Sequence, residues 1–374
     1  MNWVADDFSP QRRRQGTMSS VFHIDLPLLI GLLLLSILGL VILYSAGNQN
    51  IDLIYRQATR LGIGFGLLVV IAQISPRQLK DWTPWLFTLG TLLLIAVLVF
   101  GEGKGAQRWL DLGFVRFQPS EIMKLAVPMM IAWIFAESVL PPKLSRIMVA
   151  LACIAVPALL VARQPDLGTA LLIGFGGLVV LLFAGIRWRY IFGAGFLMIA
   201  ALPLLWFGMH DYQRQRVLTF LNPEADPLGA GWHIVQSKIA IGSGGIYGKG
   251  WLNGSQSHLE FLPERSTDFI FAVFSEEFGL IGVLIMLALY LFIIIRGLII
   301  ASQGQDTFGR LLAGSLTVTF FFNIIVNIGM VTGLLPIVGL PLPLISYGGT
   351  SLVTLMAVFG MLMSVQTHRK FMTT

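Results

Sequence analysis

Charge is what this sequence lacks most. Only 12% of its 374 residues are Asp, Glu, Lys or Arg, about half the share of an ordinary soluble domain. With 56% hydrophobic residues and a mean hydropathy of +0.80, the chain cannot hide its apolar surface in one water-exposed globule. Cysteine is nearly absent. A lone Cys153 allows no intrachain disulfide and suggests no metal site. The five histidines (His23, His210, His233, His258, His368) lie far apart with no ligand spacing, so no metal is expected from them. A Walker loop is missing too. In "GSGGIYGKG" (Gly242 to Gly250), Ser243 stands where the motif needs glycine, and Gly250 follows Lys249 in place of Ser or Thr. The net charge of +6 is the basic bias of a membrane protein and no sign of nucleic acid.

What the sequence does have is long apolar runs. A bilayer span needs roughly 20 such residues, and helices satisfy their own backbone in lipid. The runs are unalternating, which excludes a barrel of short alternating strands. They predict an all-α polytopic membrane protein with about ten spans, at 26–44, 58–74, 83–100, 119–138, 147–163, 167–185, 190–209, 268–296, 309–331 and 349–365. The first run follows Arg12 to Arg14, is too long for a signal h-region and lacks a convincing cleavage site, so it reads as a retained span. The expected organisation is a segment 1–25, one transmembrane domain 26–366 and a tail 367–374.

Lys and Arg in short loops set the orientation. With the N-terminus inside, the inner segments hold 13 of the 25 Lys and Arg residues. Five of the remainder (Arg214, Arg216, Lys238, Lys249, Arg265) fall in one long loop, which the rule discounts. The short loops therefore favour cytoplasmic N- and C-termini. Two outer segments follow: 101–118 and the long polar stretch 210–267, between spans seven and eight. Loops of that length are usually functional or disordered. This one carries the amphipathic "WHIVQSKIAIG" and reads as an ordered loop on the membrane surface.

Few residues could carry chemistry. "FLPERSTDFIFAVFSEEFG" (Phe261 to Gly279) opens a greasy span with carboxylates. Ser266 or Thr267 could cap that helix, with Asp268 in its first turn complementing the dipole. Alternatively Asp268, beside Arg265, is a reactive carboxylate. Glu276 and Glu277 lie ~12 Å further along and 80° and 180° round the helix at about 100° per residue. They read as bundle contacts or as the mark of a wet cavity. In "QPSEIMKLAVP", Glu121 and Lys124 are three apart on one helix face, either an internal ion pair or a polar wall of a cavity. "QPDLGTA" offers Asp166 at a turn and helix start. "PLPLISYGGTS" offers Ser346 and Tyr347, on a re-entrant turn or a plain connection. The glycine-rich Gly242 to Gly250 is a flexible turn or a backbone bed for an anionic head group.

These groups fall on the predicted outer side, where no ATP is available. An enzyme there needs a substrate that arrives activated, and a lipid-linked sugar diphosphate is the natural candidate. Its transfer calls for a base and for cations to meet the departing diphosphate.

At these residues the chain resembles the SEDS family (shape, elongation, division and sporulation). The likeness runs from about Asp25 to Lys370 and rests on long motifs: "GAQRWLDLGFVRFQPSEIMKLAVP", "QPDLGTALL", "DYQRQRV", "DPLGAGWHIVQSKIAIGSGGIYGKGWLNGSQSHLEFLPERSTDFIFAV" and "PLPLISYGG". "PERSTDFIF" stands where the division branch usually reads "PEAHTDFIF", so the resemblance is to the elongation branch, in which a histidine is expected where Ser266 stands. It implies a peptidoglycan glycosyltransferase that polymerises lipid II outside the inner membrane. The 4-hydroxyl of an acceptor GlcNAc attacks the anomeric carbon of a lipid-linked MurNAc with inversion, and undecaprenyl diphosphate leaves. Carried over residue by residue, the essential aspartate of "TDFIF" is Asp268, as base or positioner. The intramembrane pair of "PSEIxK" is Glu121 and Lys124. Arg108, Arg214, Arg216, Lys238, Lys249, Arg265 and Ser346 are the expected substrate contacts. The resemblance leaves a divalent cation (Mg or Mn) open. It implies a class B penicillin-binding protein transpeptidase as partner, within an elongation complex of MreC, MreD, RodZ and MreB. Two rival readings remain, a lipid II flippase and a non-catalytic scaffold for the crosslinking enzyme.

Overall fold

The computed structural model describes residues 23–101, 108–111, 116–193, 195–196, 200, 207, 214, 218–220, 222, 230–255 and 264–368. Within them run α1 (Leu26–Ala46), α2 (Ile51–Gln73), α3 (Pro76–Phe100), α4 (Pro119–Ala136), α5 (Leu144–Arg163), α6 (Leu167–Phe183), α7 (Ala230–Gly244), α8 (Ile270–Ser302), α9 (Thr307–Val331) and α10 (Thr350–Thr367). A two-residue hairpin, β1 (Leu110–Asp111) with β2 (Arg116–Phe117), precedes α4; Leu110 faces Phe117 and Asp111 faces Arg116. Eight of the helices are long and apolar enough to cross a membrane, and α6 is a shorter apolar one. The fold is an all-helical, multi-pass membrane bundle. The expected span 190–209 lies largely outside the described residues, as do residues 1–22 and 369–374, so the count of ten is not reached here.

Several helices start earlier than the apolar runs do, because polar caps and first turns extend them. Asn50 caps α2, whose first turns carry Asp52, Arg56, Gln57 and Arg60. Ser75 and Gln78 form a reciprocal capping box on α3, with Pro76 at its first position. The bundle then packs around α4, α9 and α10, the most buried of the long helices. α4 touches α3, α5, α6 and α9, α10 lies along α2, and α8 lies against α1 and α9. Both ends of the described chain meet at one face of the bundle. Thr367 Oγ1 donates to His23 O at 3.4 Å, and the rings of His23 and His368 stack with centroids 4.2 Å apart. The opposite face, where α3 ends at Phe100 and α4 begins at Pro119, is called the loop face below.

Among the described residues two stretches break the helical rule inside the bundle. The predicted single span 268–296 is two helices joined at Gly279, whose φ of 62° and ψ of −164° are non-helical. The segment after α7 fills the break. Lys249 N donates to Glu276 O and Gly250 N to Glu277 O, each at 3.0 Å. Leu280 N donates to Gly245 O at 3.0 Å and Ile281 N to Ile246 O at 3.2 Å. The glycine-rich Gly242 to Gly250 is therefore neither a free turn nor an anion bed. Its glycines allow contact with the broken helix: a Cβ on Gly248 would lie 2.1 Å from Glu277 O, and one on Gly279 2.3 Å from Gly248 N. The loop expected to lie on the membrane surface instead contains α7, packed against α8 and α9.

Side chains lock the same joint. Glu276, fully buried, binds Lys249 Nζ at 2.7 Å and Ser255 Oγ at 3.0 Å, and Glu277 accepts from Ser45 at the end of α1. Both glutamates are bundle contacts, as one of the two readings held. At the other end of α8, Arg296 grips the α1 cap Asp25 with two bonds, at 3.0 and 2.5 Å. The second break is Leu340 to Tyr347, which dips into the bundle. Tyr290, midway along α8, donates its hydroxyl to Pro343 O at 2.6 Å, and a Cβ on Gly39 of α1 would lie 2.6 Å from Leu344 O. "PLPLISYGG" is thus a re-entrant segment, irregular backbone held in protein at membrane depth.

Two outcomes follow. Gly279→Ala forces a side chain into that joint from a disfavoured backbone conformation and should cost about 3 kcal/mol or more, read as a melting temperature in detergent lowered by several degrees. Burial and the neighbouring His23 hold the His368 imidazole below its usual range. The folded state then takes up that proton less readily than the unfolded chain, so its contribution is complete above the ordinary histidine pKa of about 6.5 and is lost as pH falls below it. The decline of melting temperature from neutral to mildly acid pH should be shallower for His368→Asn.

Candidate functional site

The re-entrant segment roofs a cavity of about 80 Å³. Glu121 and Lys124 of α4 form one wall, Thr319, Phe320 and Asn323 of α9 another, and Ser346, Gly348 and Ser351 the approach to α10. Most of the remaining lining is Leu and Pro, so the chamber is mainly apolar, with charge only on its α4 wall. Lys124 Nζ binds Glu121 Oε1 at 2.7 Å, with side-chain exposures of 19% and 5%. The pair lies deep. A Cβ on Gly90 would touch Met123 Sδ at 2.4 Å, and Gly90 is ten residues from the end of α3, about 15 Å below it. The sequence had suggested a cluster at the outer edge; the hairpin before α4 sets its start well inside the bundle. Two charges at that depth cost several kcal/mol unless paired or wet, and here they are paired at the cavity wall.

Asp268 does not fall in the first helical turn. It lies in a turn ahead of α8, whose cap position is Phe269 with no side-chain cap bond. The turn is fastened to the cavity roof instead. Ser346 Oγ donates to Thr267 O at 2.6 Å, Tyr347 N donates to Ser266 O at 2.8 Å, and Asn327 Nδ2 donates to both Asp268 O at 3.1 Å and Leu340 O at 2.7 Å. Leu340 and Ser346 line the cavity. A Cβ on Gly339 (φ +73°) would lie 3.6 Å from Asp268 Oδ2, so a bare stretch of backbone faces the carboxylate.

The structure thus sets Ser346, Glu121 and Lys124 on one roofed chamber and ties the backbone of the Asp268 turn to that roof, with Arg265 half-buried in the same turn. Of the other expected contacts, those among the described residues lie against other groups. Lys249 is committed to Glu276. Lys238 lies along the turn at Gly333, where a Cβ would meet its Cε at 2.4 Å. Arg108 donates to the backbone of Gln164 and Pro165 and approaches Asp166 at 3.9 Å, tying the 101–118 segment to the start of α6. Arg214 donates to Phe207 O at 2.7 Å, and Arg216 lies outside the described residues. Asp166 caps α6 through Thr169 N at 3.1 Å, the helix start read from sequence. Ser346 is engaged by backbone on both sides, since its hydroxyl also accepts from Leu342 N at 2.8 Å.

Asn327 and Gly339 were not singled out in the sequence. An asparagine inside "FFFNIIVNIGMV" was a usable signal, because an amide in a span needs a partner.

The chain matches, over residues 19–371, the family model of the FtsW, RodA and SpoVE proteins, described as "Cell cycle protein". It belongs to this family. Among curated relatives, peptidoglycan glycosyltransferase MrdB of Escherichia coli K12 is 55% identical over 352 residues, covering 94% of this chain and 95% of that protein. Peptidoglycan glycosyltransferase RodA of Treponema pallidum is 34% identical, covering 93% and 99%. Among solved structures, a chain from "Structural coordination of polymerization and crosslinking by a peptidoglycan synthase complex" superposes with a TM-score of 0.80 at 32% identity, covering 91% and 97%. Thermus thermophilus rod shape determining protein RodA gives 0.70 at 29% identity, covering 92% and 98%. The family expected from the motifs is the family found.

Asn327→Leu removes the amide that bridges Asp268 O and Leu340 O and should lower activity by about 10-fold or more while the protein stays monodisperse. Gly339→Ala should act in the same direction, because a side chain at a φ of +73° strains the backbone facing the carboxylate. Full activity of both variants would detach that geometry from the chemistry.

Proposed function

We propose that this chain is a peptidoglycan glycosyltransferase that polymerises lipid II into glycan strands during cell elongation, at the outer face of the bacterial inner membrane. One observation carries the reading: the Asp268 turn is bonded to the roof of the chamber whose wall holds the Glu121–Lys124 pair, a chamber mainly apolar and charged on that one wall. A polyprenyl diphosphate sugar has that division between tail and head.

In this reading Asp268 takes the proton of the acceptor 4-hydroxyl as its oxygen bonds to the anomeric carbon of the lipid-linked sugar. The anomeric carbon–oxygen bond to diphosphate breaks, and undecaprenyl diphosphate departs with the bonding pair. Lys124, oriented by Glu121, meets that growing negative charge in a low-dielectric site. Arg265 is the nearest further cation in sequence to Asp268. The loop face is then the outer face, and the face shared by His23 and Thr367 is cytoplasmic, in keeping with the Lys and Arg count. The crosslinking partner would be a class B penicillin-binding protein, a pairing supported by the likeness to a chain of a complex that coordinates polymerization and crosslinking. MreC, MreD, RodZ and MreB follow from family membership alone.

A flippase is the second reading, favoured by the break at Gly279 and the re-entrant segment, since transporters use such interrupted elements near mid-membrane. The test is polymerisation of purified lipid II, with and without the crosslinking partner and with and without chelator. Asp268→Asn should abolish glycan strands, and Lys124→Met should lower their yield by about 100-fold or more. Strands of equal length from Asp268→Asn would remove the transferase reading of this site. Lipid II transfer across vesicles with no strands from wild type would favour the flippase.

A further inference from the structure

The reaction above uses the α4 wall of the chamber and leaves the α9 wall without a task. Thr319, Asn323 and Asn327 recur every four residues, so they form one strip of that helix. Thr319 and Asn323 border the chamber, and Asn327 ends the strip at the Asp268 turn. Thr319 Oγ1, Asn323 Oδ1, Asn327 Oδ1 and, across the chamber, Glu121 Oε2 are buried with no hydrogen-bond partner among the described residues. Packing alone does not ask for this. Valine and leucine fill the same volumes without a buried polar atom to satisfy. In a bilayer such atoms need a partner from inside the protein or from water. Three of these acceptors, on Thr319, Asn323 and Glu121, belong to residues that line one chamber with room for several waters, which meets the need of water for two or more polar partners.

We propose that the Thr319–Asn323–Asn327 strip holds a file of water between the Glu121–Lys124 pair and the Asp268 turn, and that Asn323 is a positioning residue acting through it. Water on Glu121 Oε2 does for that oxygen what Lys124 does for Oε1. The carboxylate is stabilised at depth without taking up all three ammonium donors, and Lys124 keeps donors for a diphosphate. The kinetic part of this inference rests on the transferase reading; the hydration part does not.

Hydration is tested first. In a Cys153→Ala background, Asn323→Cys and Ile325→Cys are each reconstituted in nanodiscs and treated with a charged methanethiosulfonate, which reacts with thiolate in contact with water. Ile325 points away from the core, 44% exposed. The thiol at 323 should react about 10-fold faster or more than that at 325. Equal rates in folded, monodisperse protein overturn the water file. The kinetic arm compares Asn323→Leu with Asn323→Gln. Leucine should lower polymerisation by about 10-fold, mainly in kcat, and glutamine should restore most of it. Wild-type rates for leucine, or equal damage from both, overturn the positioning role. A wild-type protein that makes no strands while 323 still reacts faster than 325 would remove the transferase reading and leave the water file standing.

Discussion

Inside a bilayer an unpaired peptide group has no water to turn to, and that constraint organises this molecule. Regular helices meet it automatically. Among the described residues the chain departs from regular helix inside the bundle at Gly279 and over Leu340 to Tyr347, and both departures are satisfied by other parts of the same chain. The break in α8 is filled by four backbone bonds from Gly245 to Gly250. The re-entrant segment hangs from Tyr290, Asn327 and the turn at Ser266 and Thr267. Each departure brings a polar feature inside: the Glu276–Lys249 lock in the first case, the chamber in the second.

The two differ in energetic character. A fully buried Glu276 beside a partly exposed lysine is costly to desolvate, and removal of either partner strands the other. That lock fixes a joint. The Glu121–Lys124 pair is similarly buried, yet it faces a chamber and presents free ammonium donors to it. The same pair of residue types is structural where backbone closes over it and available where a cavity remains.

How much of this was legible in the sequence depends on the length scale of the signal. The bundle was legible, since apolar runs near 20 residues admit little else. So was the helix start at Asp166, because a cap is a local event. Asp268, Glu121 and Lys124 stood out as charges in greasy surroundings, and family motifs gave them roles. The break at Gly279 was not legible: a glycine in an apolar run is common, and what demands it is the backbone of Gly248, 31 positions away in the chain. Lys249 looked like a free cation for the same reason. Its partner Glu276 is distant in sequence, and only the fold of α7 onto α8 joins them. The early starts of α2 and α3 were local and readable, in Asn50 and in Ser75 with Gln78, but hydropathy outweighed them.

The re-entrant segment carries two prolines, Pro341 and Pro343, within its deepest stretch. A proline contributes a carbonyl but no N–H. Two of the donors that irregular backbone would otherwise expose at that depth are therefore deleted covalently, with no partner required. The carbonyl of Pro343 that remains is taken by Tyr290. The roof of the chamber is thus close to a hydrocarbon surface drawn in peptide.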